Sequence, residues 1–255
     1  MRRLIGGLVV AGVGLSLGLA APAAEAGSCP PDAVASGTIC IDKFEASVWG
    51  IPPTKGALIK KIRLGTVTLA DLTAPGSGAV QHTDMSTAAA IAVCPSTGNG
   101  CKDAYAVSIA GVTPSGSITW FQAVATARNA GKRLPSNAEW QAAALGTPDG
   151  APCIVLAVGP GLTGTVGCVS DVGVFDMVGN LNEWVADWVP LSTACVPALF
   201  ASDLNCLAGA DITDGPGALR RGGNFTNGAG AGVFAVNGTR IPSVAGIGIG
   251  FRAAR

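Results

Sequence analysis

The sequence is poor in histidine, in charged residues and in aromatic residues. Its 255 residues include one histidine, 13% of them are charged and 5% are aromatic. A single imidazole excludes zinc, iron and haem sites that need two or three histidines. His82 lies in a polar segment without a Gly-x-Ser-x-Gly motif. We therefore interpret it as an exposed loop residue and not as the base of a catalytic triad.

Neither sign of charge is in excess, because 16 basic residues are balanced by 16 acidic ones. Nucleic-acid-binding proteins carry a basic surface, and this composition does not supply one. The length suits one or two domains with a substantial core. We therefore expect a globular protein without a nucleic-acid partner.

The first 26 residues have the pattern of a cleaved signal peptide. Two arginines follow Met1, residues 4–21 are apolar and uncharged, and Ala-Glu-Ala at 24–26 is a small-x-small cleavage site. A retained membrane anchor is the alternative, since the apolar run is about long enough to span a bilayer. No later apolar run is that long, so we expect no membrane span after cleavage. The mature chain, 27–255, is then a single exported domain that is periplasmic, secreted or bound to the cell surface.

All eight cysteines follow the predicted cleavage site. An even number of cysteines in an exported chain predicts disulfides. A metal cluster is disfavoured, because the sequence has no Cys-x-x-Cys motif and no histidine to complete a site. The cysteines occur as neighbouring couples, so our hypothesis among the possible connectivities is nearest-neighbour pairing. These pairs are Cys29–Cys40, Cys94–Cys101, Cys153–Cys168 and Cys195–Cys206.

Two segments carry the capping pattern of short helices. Thr119 and Gln122 have the spacing of a capping box, and the helix formers of 123–130 follow. Ser136 and Glu139 repeat the pattern before a second helix. The spacing i, i+3, i+4, i+7 predicts the buried face of the first helix. That face consists of Phe121, Val124, Ala125 and Arg128.

The rest of the chain predicts strands and irregular structure. Residues 38–45 alternate as a strand does, 71–103 have the composition of a loop, and glycine-rich turns with short strand-like pieces continue from 151. Two short helices within mixed or antiparallel strands and much irregular structure predict the α+β class.

Several motifs together resemble one known family. They lie at 41–45, 118–140, 173–188, 219–225 and 248–252, and include Gly-Lys-Arg-Leu-Pro, Gly-Asn-Leu-Asn-Glu-Trp, Arg-Gly-Gly-Asn and Gly-Phe-Arg. In this order and spacing they resemble the sulfatase-modifying factor, or formylglycine-generating enzyme, domain. The resemblance implies a variant of the C-type lectin fold, with its motif core over about 113–254.

The resemblance also implies a calcium site. Carried over from the family, its ligands would be Asp176, Gly179, Leu181 and Glu183. Two carboxylates around a glycine turn are suited to Ca²⁺, which prefers oxygen ligands. The alternative is that Glu183 pairs with an arginine and no ion binds.

The same resemblance argues against the family's copper chemistry. The two copper-binding cysteines of the enzymes fall on Asn227 and Gly232. Thiolates hold Cu(I), and an amide or a hydrogen atom cannot replace them. The related iron-binding proteins need histidines that this chain lacks. We therefore expect neither copper nor iron and no catalytic residue. An enzyme with a degenerate or unrecognised active site remains the alternative.

The 222–251 segment corresponds to the face on which the enzymes keep their active site, and we expect it to bind an unidentified ligand or protein. The segment also resembles the variable region of diversity-generating retroelement proteins, in which mutation of adenines changes asparagine codons. Changing only adenines in an asparagine codon can give the residues found at Thr239 and at 244–247. Such a variable protein is a further alternative. The candidate ligand-binding residues are Asn224, Phe225, Asn227, Phe234, Asn237 and Arg240.

Overall fold

A computed structural model describes residues 28–190, 194–197, 202–208 and 216–255, with side chains left out over 194–197 and 205–208. The predicted signal peptide, 1–26, lies outside these ranges. Within them, no helix is long and apolar enough to cross a membrane.

The described ranges contain five α-helices, one short 3₁₀ helix (Gly228–Gly230) and eleven strands. The helices are α1 (Gly56–Arg63), α2 (Leu69–Thr73), α3 (Ala88–Val93), α4 (Trp120–Asn129) and α5 (Asn137–Ala144). The first five strands are β1 (Ala33–Ser36), β2 (Ile39–Asp42), β3 (Ser47–Gly50), β4 (Val80–His82) and β5 (Ala104–Val107). The others are β6 (Asn182–Pro190), β7 (Ala194–Pro197), β8 (Leu204–Ala208), β9 (Pro216–Arg221), β10 (Val236–Asn237) and β11 (Ile249–Phe251).

The main sheet has six strands in the order β11-β6-β9-β10-β8-β7. The pairs β11–β6 and β10–β8 are parallel, whereas β6–β9, β9–β10 and β7–β8 are antiparallel. A three-stranded antiparallel sheet has the order β4-β3-β5, and β1 pairs with β2. This mixture of short helices and mixed sheets is the α+β class predicted from the sequence.

The last residues of the chain pair with β2 and so fix the end of the main sheet. Cys40 and Arg255 exchange two backbone hydrogen bonds of 3.0 and 2.7 Å, and the Asp42 N–H donates to the Ala253 carbonyl at 2.8 Å. This pairing holds Arg252, which is fully buried, in a defined position next to β6.

Both predicted capping boxes are present. The Thr119 hydroxyl accepts from the Gln122 N–H at the start of α4, and the Ser136 hydroxyl accepts from the Glu139 N–H at the start of α5. The predicted buried face of α4 is confirmed for Ala125, which is buried, and for Val124, which packs against the core, but it is wrong for Arg128. Arg128 is exposed, and the side chains that face the core include Gln122, which donates to the Cys94 carbonyl at 2.8 Å. A buried glutamine satisfied by loop carbonyls is a tertiary arrangement that hydrophobic periodicity does not detect.

The predicted loop over 71–103 is also wrong, because it contains the end of α2, all of β4 and all of α3. His82 is not an exposed loop residue. It belongs to β4, pairs with Val48, and is 8% exposed against Gly50 of the neighbouring strand. Burial lowers the pKa of its imidazole.

Three of the four predicted disulfides are confirmed, namely Cys29–Cys40, Cys94–Cys101 and Cys153–Cys168. The side chains of the fourth predicted pair, Cys195–Cys206, lie outside the described residues. Disulfides are typical of proteins that fold outside the reducing cytosol.

Candidate ligand-binding site

The turn that precedes β6 joins three distant segments of the chain. Gly179 has a φ of +76°, and a Cβ there would lie 2.3 Å from the Ile154 carbonyl oxygen, so only glycine fits. The Asn180 side chain accepts from the Gly161 N–H at 2.8 Å and donates to the Glu45 carboxylate. The turn is therefore held rigidly against the loop over 154–161 and the first part of the chain.

The two predicted calcium-binding carboxylates are hydrogen-bonded to protein N–H groups. Asp176 accepts from the Gly164 and Thr165 backbones at 2.6 and 3.1 Å. Glu183 accepts from the Trp140 indole at 2.6 Å and from Arg252 Nε at 2.7 Å. A calcium ion would have to compete with these donors. The site formed by Asp176, Gly179, Leu181 and Glu183 stays a prediction.

Glu45, Asp176, Glu183 and Arg252 form a buried ionic cluster, which we call the Arg252 cluster. The guanidinium pairs with Glu183 and donates to the Asp42 and Phe175 carbonyl oxygens at 3.2 and 2.8 Å. Burial, followed by the charges of Asp176 and Glu183, raises the pKa of Glu45 well above its usual 4.5. Every charged group in the cluster has a partner, so it connects β6 and β11 to the N-terminal part of the fold.

A second polar site lies beside β9 and is open to solvent. It is a pocket of about 190 Å³, which we call the β9 pocket. It is lined by Asn182, Leu204, Arg220, Gly223, Asn224, Asn227, Gly230, Ala235, Val236, Asn237, Thr239 and Arg240.

The structure brings four of the six candidate ligand-binding residues together in this pocket: Asn224, Asn227, Asn237 and Arg240. The other two do not line it. The side chain of Phe225 is buried, and its backbone N–H donates to the Asn180 carbonyl at 2.9 Å. Phe234 is 42% exposed, and its N–H donates to Asp203 at 2.8 Å.

Strand alternation points Arg220 into the β9 pocket. Side chains of paired residues lie on the same face of a sheet, and Arg220 pairs with Trp184 on one side and Asn237 on the other. Its guanidinium carbon lies 5.6 Å from the centre of the Trp184 ring. The residue is 7% exposed, and its Nε has no hydrogen-bond partner in the described part of the chain.

The electrostatic surroundings of Arg220 are positive. Burial, and then the charge of Arg240, lowers the pKa of its guanidinium to about 10. At neutral pH it is still charged. The described residues that line the pocket include two arginines and no carboxylate.

The next residue, Arg221, faces the opposite side of β9 and is well bonded. It lies 4.7 Å from the centre of the Trp140 ring and donates to the Ala235 and Val233 carbonyl oxygens at 2.8 and 3.2 Å. It also donates to the side chain of Gln141. Arg221 thus holds the chain that returns to β10 and shapes the pocket from behind.

Two Asn-x-Thr turns form part of the pocket rim. The Asn224 side-chain oxygen accepts from the N–H and hydroxyl of Thr226, both at 2.9 Å. The Asn237 oxygen accepts from the N–H and hydroxyl of Thr239 at 2.9 and 2.7 Å. Since each oxygen is committed to its turn, the side-chain NH₂ groups are the parts that can donate to a ligand, although the NH₂ group of Asn224 also donates to the Gly248 carbonyl at 3.5 Å.

The residues at the copper positions do not fit copper. Asn227 uses its side-chain oxygen to accept from the Asn224 N–H at 2.8 Å. A Cβ on Gly232 would lie 1.8 Å from a carboxylate oxygen of Asp203, so a cysteine side chain has no room there. Neither position offers a thiolate, and the second could not hold one without displacing Asp203.

The residues on which the retroelement alternative depends differ in solvent exposure. Thr239 lines the β9 pocket, Ala245 and Ile247 are exposed, and Val244 packs against the core.

Comparison with known families identifies the fold. The model of the sulfatase-modifying factor enzyme 1-like domain matches residues 62–152 and 159–255, most of the chain. The chain belongs to this family. Its α+β architecture is accordingly the formylglycine-generating-enzyme variant of the C-type lectin fold, as the sequence motifs implied. No curated protein matches the chain.

Several solved structures are similar to this family member. The Major Tropism Determinant P3c Variant is 20% identical with a TM-score of 0.46, over 88% of this chain and 52% of that one. The M1 Variant is 18% identical with a TM-score of 0.45 and the same coverage. Treponema denticola variable protein 1 is 19% identical with a TM-score of 0.40, over 55% of this chain and 70% of that one. The chain spans about half the length of the tropism determinants.

Sequence reasoning missed Arg220 and Asn182 as pocket residues. Arg220 directly precedes the Arg-Gly-Gly-Asn motif, which begins at Arg221. Alternation along β9 could have shown that the two arginines face opposite sides. It could not have shown which one lacks a carboxylate partner.

Proposed function

We propose that the protein is an exported, non-catalytic binding module that holds a small polar ligand in the β9 pocket. The observation that carries the proposal is the convergence of Asn224, Asn237 and Arg240 with the buried Arg220 in one open pocket. A few convergent polar groups in a concave site are typical of ligand-binding pockets.

Rigid support on both sides favours recognition of a defined ligand. The pocket floor belongs to strands β6, β9 and β10, and Arg221 and Asp203 fix the 232–235 segment behind it. Binding groups on a rigid sheet lose little conformational freedom when a ligand binds. Export is supported by the predicted signal peptide and by three disulfides.

A pocket-filling variant tests the proposal. Thr239→Trp places an indole in the pocket, whereas Thr226→Trp makes the same change in the other Asn-x-Thr turn, at an exposed residue that does not line the pocket. The purified protein is screened by NMR against a panel of monosaccharides, disaccharides and small metabolites. We expect a panel member to shift the amide signals of 220–240 in the wild type and in Thr226→Trp but not in Thr239→Trp. If no panel member does so, the proposed function is wrong.

An enzyme assay tests the competing class. The protein is incubated with copper and a Cys-x-Pro-x-Arg peptide, and formylglycine is measured by mass spectrometry. We expect no product above the protein-free blank, because Asn227 and Gly232 provide no thiolate. Formylglycine formation above the blank would show that the protein is an oxidase and would contradict the proposed binding function.

The retroelement alternative is a second candidate, favoured by the exposure of Ala245 and Ile247 and the place of Thr239 in the pocket. It requires a reverse transcriptase gene and a near-copy of the 3′ end beside this gene. Sequencing the flanking DNA decides it, since the absence of both excludes diversification.

A further inference from the structure

Arg220 is a buried positive charge without a counter-charge among the described residues. Buried arginines are normally paired, because an isolated charge in a protein interior is costly. Its neighbour Arg221 shows the usual solution, with several carbonyl acceptors. The Nε atoms of both arginines lack a hydrogen-bond partner, but among the described residues Arg220 has no acceptor for its terminal nitrogens either and contacts the face of the Trp184 ring. A negatively charged ligand would complete this arrangement.

We propose that the β9 pocket binds the carboxylate of an acidic, monosaccharide-sized ligand. Arg220 holds the carboxylate from the pocket floor, and the exposed Arg240 attracts it at the rim. This inference rests on the proposed function and adds the chemical class of the ligand.

The charge of the pocket selects an anion. Among the described residues that line it, both charged ones are arginines, and the other polar side chains are Asn182, Asn224, Asn227, Asn237 and Thr239, which are neutral. A planar guanidinium matches a carboxylate with two parallel hydrogen bonds. The positive field of two arginines also speeds the approach of an anion.

The size and the neutral groups select a sugar acid over a larger anion. A cavity of about 150 Å³ holds benzene, so about 190 Å³ suits one six-membered ring with its substituents. The NH₂ groups of Asn224 and Asn237 and the hydroxyl of Thr239 can meet ring hydroxyl groups. One buried guanidinium balances one negative charge, as a carboxylate carries.

Matched acid and neutral sugars test the inference by titration calorimetry and by NMR of the 220–240 amides. The probes are glucuronate against glucose, galacturonate against galactose, and inorganic phosphate. We expect each acid to bind at least about tenfold more tightly than its neutral partner, since a hydrogen bond to a charged group contributes about that much.

Charge variants locate the interaction. Arg220→Gln should abolish the preference for the acids, and Arg240→Gln, an exposed position that leaves the core untouched, should weaken acid binding by about threefold to tenfold. Arg128→Gln removes the same charge from an exposed position on α4 and should change nothing. Arg220→Lys keeps the charge and should retain part of the preference.

Several results would overturn the inference. Neutral sugars that bind as well as the acids refute it and leave the proposed function intact. Phosphate that binds more tightly than both acids refutes the carboxylate assignment. No response to either acid at tens of millimolar refutes it as well. Loss of acid binding in Arg128→Gln equal to that in Arg240→Gln would show a general charge effect and not a site.

Discussion

Two buried arginines of this protein, Arg252 and Arg220, differ in how their charge is balanced. Arg252 pairs with Glu183 and donates to backbone carbonyls, so it is satisfied within the fold. Arg220 has an aromatic ring, an unbonded Nε and a neighbouring arginine. Within the described ranges, the first is a structural centre and the second is a group that a ligand can complete.

The two arginines lie in two regions that the sequence motifs assign to one family, but that have different roles in the structure. The motif around 176–184 implied an ion site, but its carboxylates bind N–H groups and Arg252. The motif around 220–224 implied a lost copper site, but it supplies the floor of the β9 pocket. The carboxylates of the first region are satisfied within the fold, whereas Arg220 in the second has no counter-charge among the described residues, which is why we propose it as a ligand-binding group.

The largest expected effect is the loss of the Glu183 charge. Glu183→Gln removes the only carboxylate that pairs directly with Arg252 among the described residues, and Glu45 and Asp176 stay without a direct hydrogen bond to it. We therefore expect the free energy of unfolding to fall by about 3–5 kcal/mol. Urea unfolding of the oxidised protein measures it. Glu139→Gln, in the exposed pair with Arg133, is the control and should cost under about 1 kcal/mol. Equal costs for the two variants would contradict the comparison.

The next largest effect is the difference in unfolding free energy between variants of the two adjacent arginines of β9. Arg221→Met removes the donors that hold the 233–235 carbonyls, and we expect a loss of about 2–3 kcal/mol of unfolding free energy. Arg220→Met removes an unpaired buried charge and keeps a similar volume over Trp184. We expect its stability to stay within about 1 kcal/mol of the wild type without ligand. The same urea series measures both, and a larger loss for Arg220→Met would show that Arg220 is structural.

A smaller effect is the pH dependence of the stability that the exposed Arg133–Glu139 ion pair contributes. The hydrogen bond from Arg133 lowers the pKa of Glu139 from 4.5 to about 2. Because the folded-state pKa is depressed, the stabilisation is present above about pH 4.5 and is lost as the pH falls towards 2. Glu139→Gln keeps the helix cap and lacks this contribution. Its stability relative to the wild type should therefore rise over that range, as thermal unfolding at several pH values can show. A difference that is constant with pH would contradict the pair.

The smallest expected effect tests the calcium prediction. An ion at Asp176 and Glu183 would compete with donors that already bind them, so it can add little to stability. If it binds, EDTA should lower the midpoint of thermal unfolding by about 2–4 °C, equivalent to about 1 kcal/mol in a domain of this size. Added calcium, but not magnesium, should restore the midpoint. An unchanged midpoint would contradict the calcium prediction, and Arg252 would then be the positive charge that balances these carboxylates.

Structural features that depend on residues close together in the sequence could be predicted from the sequence. The capping boxes of α4 and α5 and three local disulfides follow from spacing over a few residues, and all are present. Helices α1 to α3 were missed. They have only five to eight residues, and although Thr68 caps α2 and Thr87 caps α3, helices this short depend on packing against the core for their stability.

The candidate site was predictable only in part. Asn224, Asn227, Asn237 and Arg240 lie together because one segment of the chain supplies them. Phe225 is buried beside Asn180, and Phe234 points elsewhere, because the turns of the 222–235 segment set each side chain's direction. Asn182 comes from β6, so only the register of the sheet adds it to the pocket.

The sequence by itself determined the family, the α+β class, the local disulfides and the absence of thiolates at Asn227 and Gly232. These are properties of residue type and short spacing. The tertiary structure decided that Glu183 pairs with Arg252 and that Arg220 and Arg221 face opposite environments. Pairing between strands distant in sequence determines whether a buried charge finds a partner.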